Sequence, residues 1–432
     1  MSNKLAGLGL LVIANSAFAQ SAAPSSIEPY GIVDIAAVHV EHSLSADPNY
    51  GNTINGVTAT KSSISNGVNA MINGGIQGSR WGIRGSEDLG GGLKAFFTLE
   101  SGFNAQDGVI ANGAASLASN SPKASTVSSN SSQNGQFFSR QAFVGLSDQA
   151  LGSLAIGRNY NPIYDVVADY DPVMQAQTFS PLGASNSIGG GGGYSENVRI
   201  DNSFKYKNSF GPVKVALLYK VGGQAGNSSA SSAYALNVGY EEGPFGVQAV
   251  YEQFTDSLKS ATSAVAGEVN VTNYDTSAYI VATKYLFDRF AVRGGYESYT
   301  LKAPSDKLAS LGIATFAGYP IANAASASAN FSSAVQTTKI AFIGGDYDFT
   351  PALNLAVGFY DQNPHRSGDK KQLDGNIYSY SALLDYHFSK RTDVYAGLMV
   401  SQYKGANYSA PFIAGGDNAR NYVAGIGLRT KF

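Results

Sequence analysis

The chain of 432 residues contains no cysteine, which excludes disulfide bonds, thiolate metal sites and cysteine nucleophiles. Charged residues are also scarce, because Asp, Glu, Lys and Arg together make up 14% of the chain, against about 25% in an average soluble domain. The formal net charge of −2 leaves no basic excess of the kind that nucleic-acid binding requires, so no nucleic-acid partner is predicted. This composition favours a wall with one face in lipid and the other in water.

A long apolar run is also missing. The N-terminal apolar stretch, residues 5–13, is too short for a membrane helix, which needs about 20 apolar residues. It follows Lys4 and precedes an A-x-A cleavage motif at residues 17–19. We therefore predict a signal peptide at residues 1–19 and a mature domain at residues 20–432. If the mature domain lies in a membrane, strands must span it.

Most of the remaining chain shows alternating apolar and polar residues, in segments of about ten residues each, which is typical of strands with one apolar face. A soluble β-sandwich would show the same alternation, so this pattern alone does not decide the fold. The clearest apolar rows are Leu93, Ala95, Phe97 and Leu99; Val213, Val215, Leu217 and Tyr219; Phe290, Val292, Gly294 and Tyr296; and Tyr378, Tyr380, Ala382, Leu384, Tyr386 and Phe388.

The lengths of the connections favour a membrane barrel. Seven connections are short, at residues 87–92, 147–153, 207–212, 241–246, 286–290, 347–352 and 388–393. Eight longer polar stretches alternate with them, near residues 42–75, 104–133, 161–197, 221–232, 255–273, 300–334, 361–375 and 403–418. We therefore predict an all-β fold, a transmembrane antiparallel barrel of about 16 strands with short periplasmic turns and long extracellular loops.

Aromatic residues cluster beside the short turns, as membrane interfaces require. A set of core aromatics in a soluble β protein is the alternative. The clusters are Tyr206 with Phe210, Tyr240 with Phe245, Tyr285 with Phe287, Tyr347 with Phe349, and Tyr386 with Phe388. The chain also ends on an aromatic residue, Phe432, at the end of an alternating segment.

Several motifs, in the same order along the chain, resemble the general trimeric porins of Gram-negative bacteria, particularly those of betaproteobacteria. They are GSRWGIRGSEDLGGGLKAFFTLESGFN (residues 78–104), FSRQAFVGLSDQALGSLAIGRNYNPIYD (138–165), YGIVD (30–34), RIDNSFKY (199–206) and NYVAGIGLRTKF (421–432). The resemblance implies a sixteen-stranded barrel, a homotrimer, and a third loop folded into the pore. It also implies that Phe432 belongs to an assembly signal that the outer-membrane insertion machinery reads.

The same resemblance implies a pore constriction with charges of opposite sign on two walls. Strand alternation places the arginines of the basic wall on the polar face; they are Arg80, Arg84, Arg140 and Arg199. The third loop and the third strand would supply the acidic wall, consisting of Glu100, Asp165, Asp169 and Asp171. The Pro-Glu-Phe-Gly-Gly motif of enteric family members is absent from this loop. Such a field orients polar solutes and disfavours apolar ones.

We therefore expect a channel in the outer membrane through which small hydrophilic solutes diffuse passively. A substrate-selective channel, an outer-membrane hydrolase and a secreted β protein are the alternatives. The four histidines are scattered along the chain, and no catalytic or metal-binding spacing is present. No enzymatic activity, cofactor or metal site is predicted.

Overall fold

The structure is a computed structural model that describes residues 26–44, 64–108, 110, 137–182, 199–222, 232–255, 275–302, 336–366, 375–405 and 420–432. It also describes three pairs of two-residue strands in the long connections, at residues 53–54 and 57–58, 315–316 and 319–320, and 408–409 and 413–414. The predicted signal peptide lies outside the described residues. Among the described residues, no helix is long and apolar enough to cross a membrane.

Sixteen strand positions form the main sheet, and the second position is interrupted. The strands are β1 (Ser26–Leu44), β2 (Ile64–Asn73 and Arg80–Gly90), β3 (Leu93–Gly102), β4 (Gln141–Asp148), β5 (Gly152–Tyr160), β6 (Arg199–Phe210), β7 (Val213–Lys220), β8 (Ala233–Glu242), β9 (Phe245–Phe254), β10 (Asp275–Leu286), β11 (Phe290–Lys302), β12 (Gln336–Thr350), β13 (Leu353–Arg366), β14 (Gly375–His387), β15 (Thr392–Gly405) and β16 (Arg420–Lys431). A helix, α1 (Pro162–Tyr170), follows β5.

The sheet closes on itself. Each strand pairs antiparallel with the next along the chain, and β1 pairs with both segments of β2. On its other side β1 pairs with β16 over twelve residue pairs, from Ile32↔Lys431 to Ser43↔Arg420. All seven predicted short turns join neighbouring strands at one end of the barrel. The prediction of a 16-stranded antiparallel barrel is therefore confirmed.

The barrel wall exposes apolar residues on its outside and places polar residues on its inside. On β8, for example, Leu236 and Val238 are 45% and 47% exposed, whereas Asn237 between them is 7% exposed. On β7, Leu217 is exposed and Lys220 is buried. This distribution is the reverse of a soluble domain and suits a sheet whose outer face contacts lipid.

The aromatic residues beside the short turns point outward. Nine of the ten predicted aromatics are exposed, and Tyr206 is partly buried. A second exposed row, not predicted from the sequence, crosses β7–β11 nearer the other end of the barrel and consists of Tyr219, Tyr234, Tyr251, Tyr279 and Tyr296. Two aromatic rows on the outer face correspond to the two interfaces of a bilayer.

Phe432 lies at the seam where the barrel closes. Its backbone exchanges two hydrogen bonds with Gly31 of β1, both 3.0 Å long. Its ring is 56% exposed on the outer face and covers Gly31, where a Cβ atom would lie 2.3 Å from the ring. The same Cβ atom would lie 2.8 Å from the backbone carbonyl oxygen of Arg80, so a side chain at position 31 would displace both the terminal ring and the neighbouring strand.

Candidate pore constriction

The described part of the third loop (L3), residues 161–182, folds into the barrel, as predicted, and begins with α1. The Asn161 side chain caps this helix by accepting a 2.7 Å hydrogen bond from the Tyr164 amide, and Pro162 occupies the first turn. The buried face of α1, including Ile163, Val167 and Tyr170, packs against the inner wall formed by β7–β11. An apolar core therefore lies within the lumen, between L3 and the wall.

The described part of L3 extends across the lumen to the interruption in β2. The Gln177 amide donates to the Ile76 carbonyl at 2.9 Å, and the Thr178 amide donates to the Gly75 carbonyl at 3.0 Å. The next residue of the loop, Phe179, is fully buried and packs edge-on against Tyr395 of β15. L3 is thus attached at both ends of its described path, and it narrows the passage.

Asp34 on β1 organises the interruption that receives L3. Its buried carboxylate accepts hydrogen bonds from the amides of Gly75 at 3.2 Å, Ile76 at 3.1 Å and Gln77 at 2.7 Å. It also accepts one from the Tyr395 hydroxyl. These donors satisfy a buried charge that would otherwise be costly. The same contacts hold residues 74–79 away from the sheet, where L3 can reach their carbonyl groups.

Glu100 lies between two of the predicted arginines. Its carboxylate accepts a 2.7 Å bond from Arg140 Nε and lies 3.6 Å from Arg80 Nε. The hydroxyls of Tyr30 and Tyr160 donate to it at 3.0 and 3.2 Å. The structure thus places Glu100, predicted on the acidic wall, on the same stretch of wall as the arginines. β3 runs between β2 and β4, so its inward carboxylate is placed among the arginines and partly neutralises them.

The basic surface is larger than predicted. We define the basic wall as Arg80, Arg140, Arg158, Arg199 and Lys205. Four of these five residues are at most 7% exposed, and the Arg80 side chain is 18% exposed. The guanidinium groups of Arg140 and Arg199 lie 5.9 and 5.5 Å from the ring centre of Tyr160, within cation–π range. Tyr160 in turn stacks on Tyr164 of α1 at 4.3 Å.

The alternation of inward and outward residues along β5 does not predict that Arg158 belongs to the basic wall. Leu154 and Ile156 of β5 face outward, so an unbroken strand would turn Arg158 outward as well. The register shifts between Gly157 and Asn159, where two residues of β6 lie opposite Arg158, and Arg158 instead pairs with Asp201 and donates a 2.8 Å bond to the Ser139 carbonyl. Gly157 has φ +138°, and a Cβ atom there would lie 2.2 Å from a backbone oxygen, so only glycine fits.

Two of the three predicted L3 aspartates hold the loop instead of lining the passage. Asp165 accepts bonds from Lys205 at 2.7 Å and Lys207 at 2.6 Å, which ties α1 to β6. Burial alone would raise the pKa of Asp165, but the two ammonium groups lower the pKa of this carboxyl below its usual range. Asp165 and Asp171 are both turned away from the passage, because the carboxylate of each has a partner on the barrel strands.

Asp171 is fully buried and accepts 2.6 Å bonds from the Tyr360 hydroxyl on β13 and from the Gln175 amide. Asp169 is exposed, and its backbone carbonyl accepts a 3.3 Å bond from Arg293 of β11. Within residues 161–182, Asp169 is thus the predicted acidic residue with the most exposed carboxylate. Residues 183–198 of the predicted loop lie outside the described part of the chain.

Arg84 lies at the edge of the basic wall. It is four residues further along β2 than Arg80, towards the short turn, and its side chain is 57% exposed. It pairs with Glu28 of β1 and lies 5.1 Å from the ring centre of Tyr30. Its charge is therefore already compensated close to the mouth of the barrel.

The basic wall retains an excess of positive charge. In the ion pairs of this wall, five cations share three carboxylates: Arg80 and Arg140 pair with Glu100, Arg158 pairs with Asp201, and Lys205 and the neighbouring Lys207 pair with Asp165. Five positive charges against three negative charges leave a net charge of +2 on this part of the wall. In a narrow passage with low-dielectric walls, a few such charges dominate the local field.

Comparison with known proteins identifies relatives over most of the chain. A family model described as Gram-negative porin matches residues 6–406. An outer membrane porin protein of Bordetella pertussis is 28% identical over 384 residues, which cover 84% of each chain. Outer membrane porin protein 32 of Delftia acidovorans is 28% identical over 207 residues, covering 48% of this chain and 45% of that protein.

Solved structures share the fold. The anion-selective porin from Comamonas acidovorans aligns with a TM-score of 0.63 at 20% identity, covering 95% of this chain and all of that one. An in-vitro folded OmpT of Vibrio cholerae aligns with a TM-score of 0.56 at 15% identity, covering 94% of this chain and 98% of that one. At these identities the likeness concerns the barrel fold alone.

Protonation of Asp171 should stabilise the protein. Burial raises the pKa of Asp171 to about 6, from about 3.9 in an unfolded chain. The folded state therefore binds this proton more tightly, and it gains stability as the pH falls from about 7 through 6 towards 4, by an amount on the order of 2–3 kcal/mol. Asp171→Asn removes this contribution, so its unfolding temperature in detergent should depend less on pH over this range.

Asp169→Asn provides the matched control, since it removes a neighbouring but exposed carboxylate. Its unfolding temperature should follow that of the unsubstituted protein at every pH. An Asp171→Asn protein with the unsubstituted pH dependence would show that the buried carboxyl does not control the stability of the docked loop.

Proposed function

The chain belongs to the Gram-negative porin family, and on this premise we propose that it is a general diffusion channel with a preference for anions. As an outer-membrane porin it forms a water-filled barrel through which small hydrophilic solutes diffuse passively. The observation that carries the proposed preference is the net charge of +2 on the basic wall beside L3. No step of bond making or breaking is proposed, and neither a catalytic residue nor a cofactor is needed for diffusion.

The position of the basic wall supports its role in permeation. Arg80, Arg140 and Arg199 come from β2, from the residue preceding β4 and from β6, on the inner side of the barrel. Tyr164 of α1 stacks on Tyr160, which lies beside two of these guanidinium groups. A solute passing between L3 and this part of the wall would meet fixed positive charge, which attracts anions and repels cations. Arg84 lies at the mouth, where Glu28 offsets its charge, and we expect it to contribute less than these three arginines.

A substrate-selective channel is the second candidate. The stacked pair Tyr160 and Tyr164, flanked by Arg140 and Arg199, combines aromatic faces with cations. Such a combination could retain an organic anion that carries a carboxylate. The two candidates differ in their currents. In a general channel, current rises linearly with the concentration of an organic anion, whereas in a selective channel it saturates.

We propose that the native assembly is a homotrimer. One of the structural relatives, OmpT of Vibrio cholerae, is described in a trimer form. The outer face of β15, β16, β1 and β2 carries an apolar groove, with the small residues Ala37, Ala396 and Ala424 among its lining and the exposed side chains of Met71 and Ile426 at its sides. Such a face allows another barrel to approach closely. The native mass in detergent should equal three chains; a mass of one chain would refute the proposal.

The ends of the chain have proposed roles in assembly. We propose that residues 1–19 are removed on export and that the insertion machinery recognises β16 with its terminal Phe432. Two observations support this role: Phe432 lies at the seam between β16 and β1, and its ring is exposed on the outer face. Another protein can therefore contact this ring from outside the barrel wall.

Neutralising the centre of the basic wall should reduce the preference for anions. We expect the double substitution Arg80→Gln with Arg140→Gln to lower the ratio of anion to cation permeability several-fold, because it removes two positive charges and leaves Glu100 uncompensated. The measurement is the reversal potential of purified channels in planar bilayers under a salt gradient.

The matched control removes two positive charges outside the lumen. Lys390→Gln with Arg391→Gln changes the exposed turn between β14 and β15, so its reversal potential should stay close to that of the unsubstituted channel. Equal shifts in the two double variants would mean that total charge, and not the basic wall, sets selectivity.

A further inference from the structure

The turn between β14 and β15 brings together a histidine and two aspartates that lie apart in the sequence. Asp385 and His387 are alternate residues of β14 and therefore share a face of the strand. Asp393 of β15 is directly opposite His387 in the strand register. Both aspartates are buried on the inner side of the wall. The three side chains thus form one patch, near the short-turn mouth of the lumen.

The distances within this patch are slightly longer than those between ligands of a shared ion. His387 Nδ1 lies 3.9 Å from Asp385 Oδ1 and 3.9 Å from Asp393 Oδ2. This separation is too long for a hydrogen bond. Donor atoms on one tetrahedral zinc ion lie about 3.3–3.6 Å apart, so a small movement of the partly exposed His387 ring would bring the three groups onto one ion. One donor atom from each residue lies within 4.8 Å of the others.

A buried oxygen without a hydrogen bond points into the same space. Asp385 Oδ1 is inaccessible to solvent and has no hydrogen-bond partner among the described residues, and the Asp385 side chain as a whole is 7% exposed. A buried carboxylate oxygen left in this state is costly unless a ligand satisfies it.

Arg429 of β16 contacts both carboxylates through oxygen atoms other than Asp385 Oδ1. Its Nε donates to Asp393 Oδ1 at 3.0 Å and its Nη2 donates to Asp393 Oδ2 at 2.9 Å. The same Nη2 lies 3.5 Å from Asp385 Oδ2 and makes no bond to Oδ1. Outer partners of this kind orient the ligands of metal sites and offset part of their charge. Arg429 fixes the positions of the carboxylates and leaves Asp385 Oδ1 directed towards His387.

We propose that Asp385, His387 and Asp393 bind a divalent transition-metal ion of the zinc type. An imidazole nitrogen with two carboxylates suits zinc better than calcium or magnesium, which prefer oxygen ligands alone. The His387 side chain is 39% exposed, so water from the lumen can complete the coordination. A bound ion would join β14 to β15 across their turn and add positive charge at the mouth of the channel.

The test is a calorimetric titration of the folded, untagged protein in detergent with zinc chloride. We expect one zinc ion for each chain, and His387→Ala and Asp393→Asn should each weaken the affinity at least tenfold. His365→Ala is the control, because it removes an exposed histidine at the opposite end of the barrel, on β13. Its zinc affinity should equal that of the unsubstituted protein.

Three results would overturn the proposal. The first is no zinc binding by the unsubstituted protein, the second is equal binding by the His387→Ala protein, and the third is binding of calcium chloride but not of zinc chloride. Heat-dependent mobility on SDS gels checks that each variant is folded. If His387→Ala fails this check, Asp393→Asn and a His387→Gln protein decide the question by the same titration.

Discussion

The structure depends on one constraint: within the membrane, every backbone N–H and C=O group must form its hydrogen bond inside the sheet. The two faces of the same sheet meet different environments, lipid on the outside and water on the inside. Closure of β1 on β16 removes the free edges, and the two-residue period places alternate side chains in lipid and in the lumen. The contrast between the exposed Leu236 and the buried Asn237 follows from this period. The outward apolar residues of the strands face lipid and therefore do not form a core as in a soluble protein. The chain instead forms an apolar core inside the barrel, where L3 folds inward against the wall.

This internal core explains how the passage is shaped. L3 is held by apolar contacts of α1, by ion pairs of Asp165 and by backbone bonds to the interruption in β2. The acidic side chains Asp165 and Asp171 attach the loop to the barrel and so do not form a separate acidic wall across the passage. The proposed preference for anions depends on the cations of the basic wall that remain in excess over its carboxylates.

The period of two made most of the barrel predictable from the sequence, including the number of strands, the short turns and the inward direction of Arg80. The same rule failed at Arg158, where the register shift between Gly157 and Asn159 interrupts the alternation. It also could not place Asp171 against Tyr360, because contacts between a loop and a distant strand leave no local pattern. The proximity of His387 to Asp393 depends on the register of one hairpin, which alternation alone does not fix.

The direction of alternate side chains on one strand tests the central claim most directly. Because the chain has no cysteine, single cysteines at positions 236, 237 and 238 of β8 can each carry a fluorescent label in lipid vesicles. Quenchers attached to the acyl chains should quench the labels introduced by Leu236→Cys and Val238→Cys strongly and the label introduced by Asn237→Cys weakly. Equal quenching at all three positions would contradict a wall with one lipid face and one lumen face.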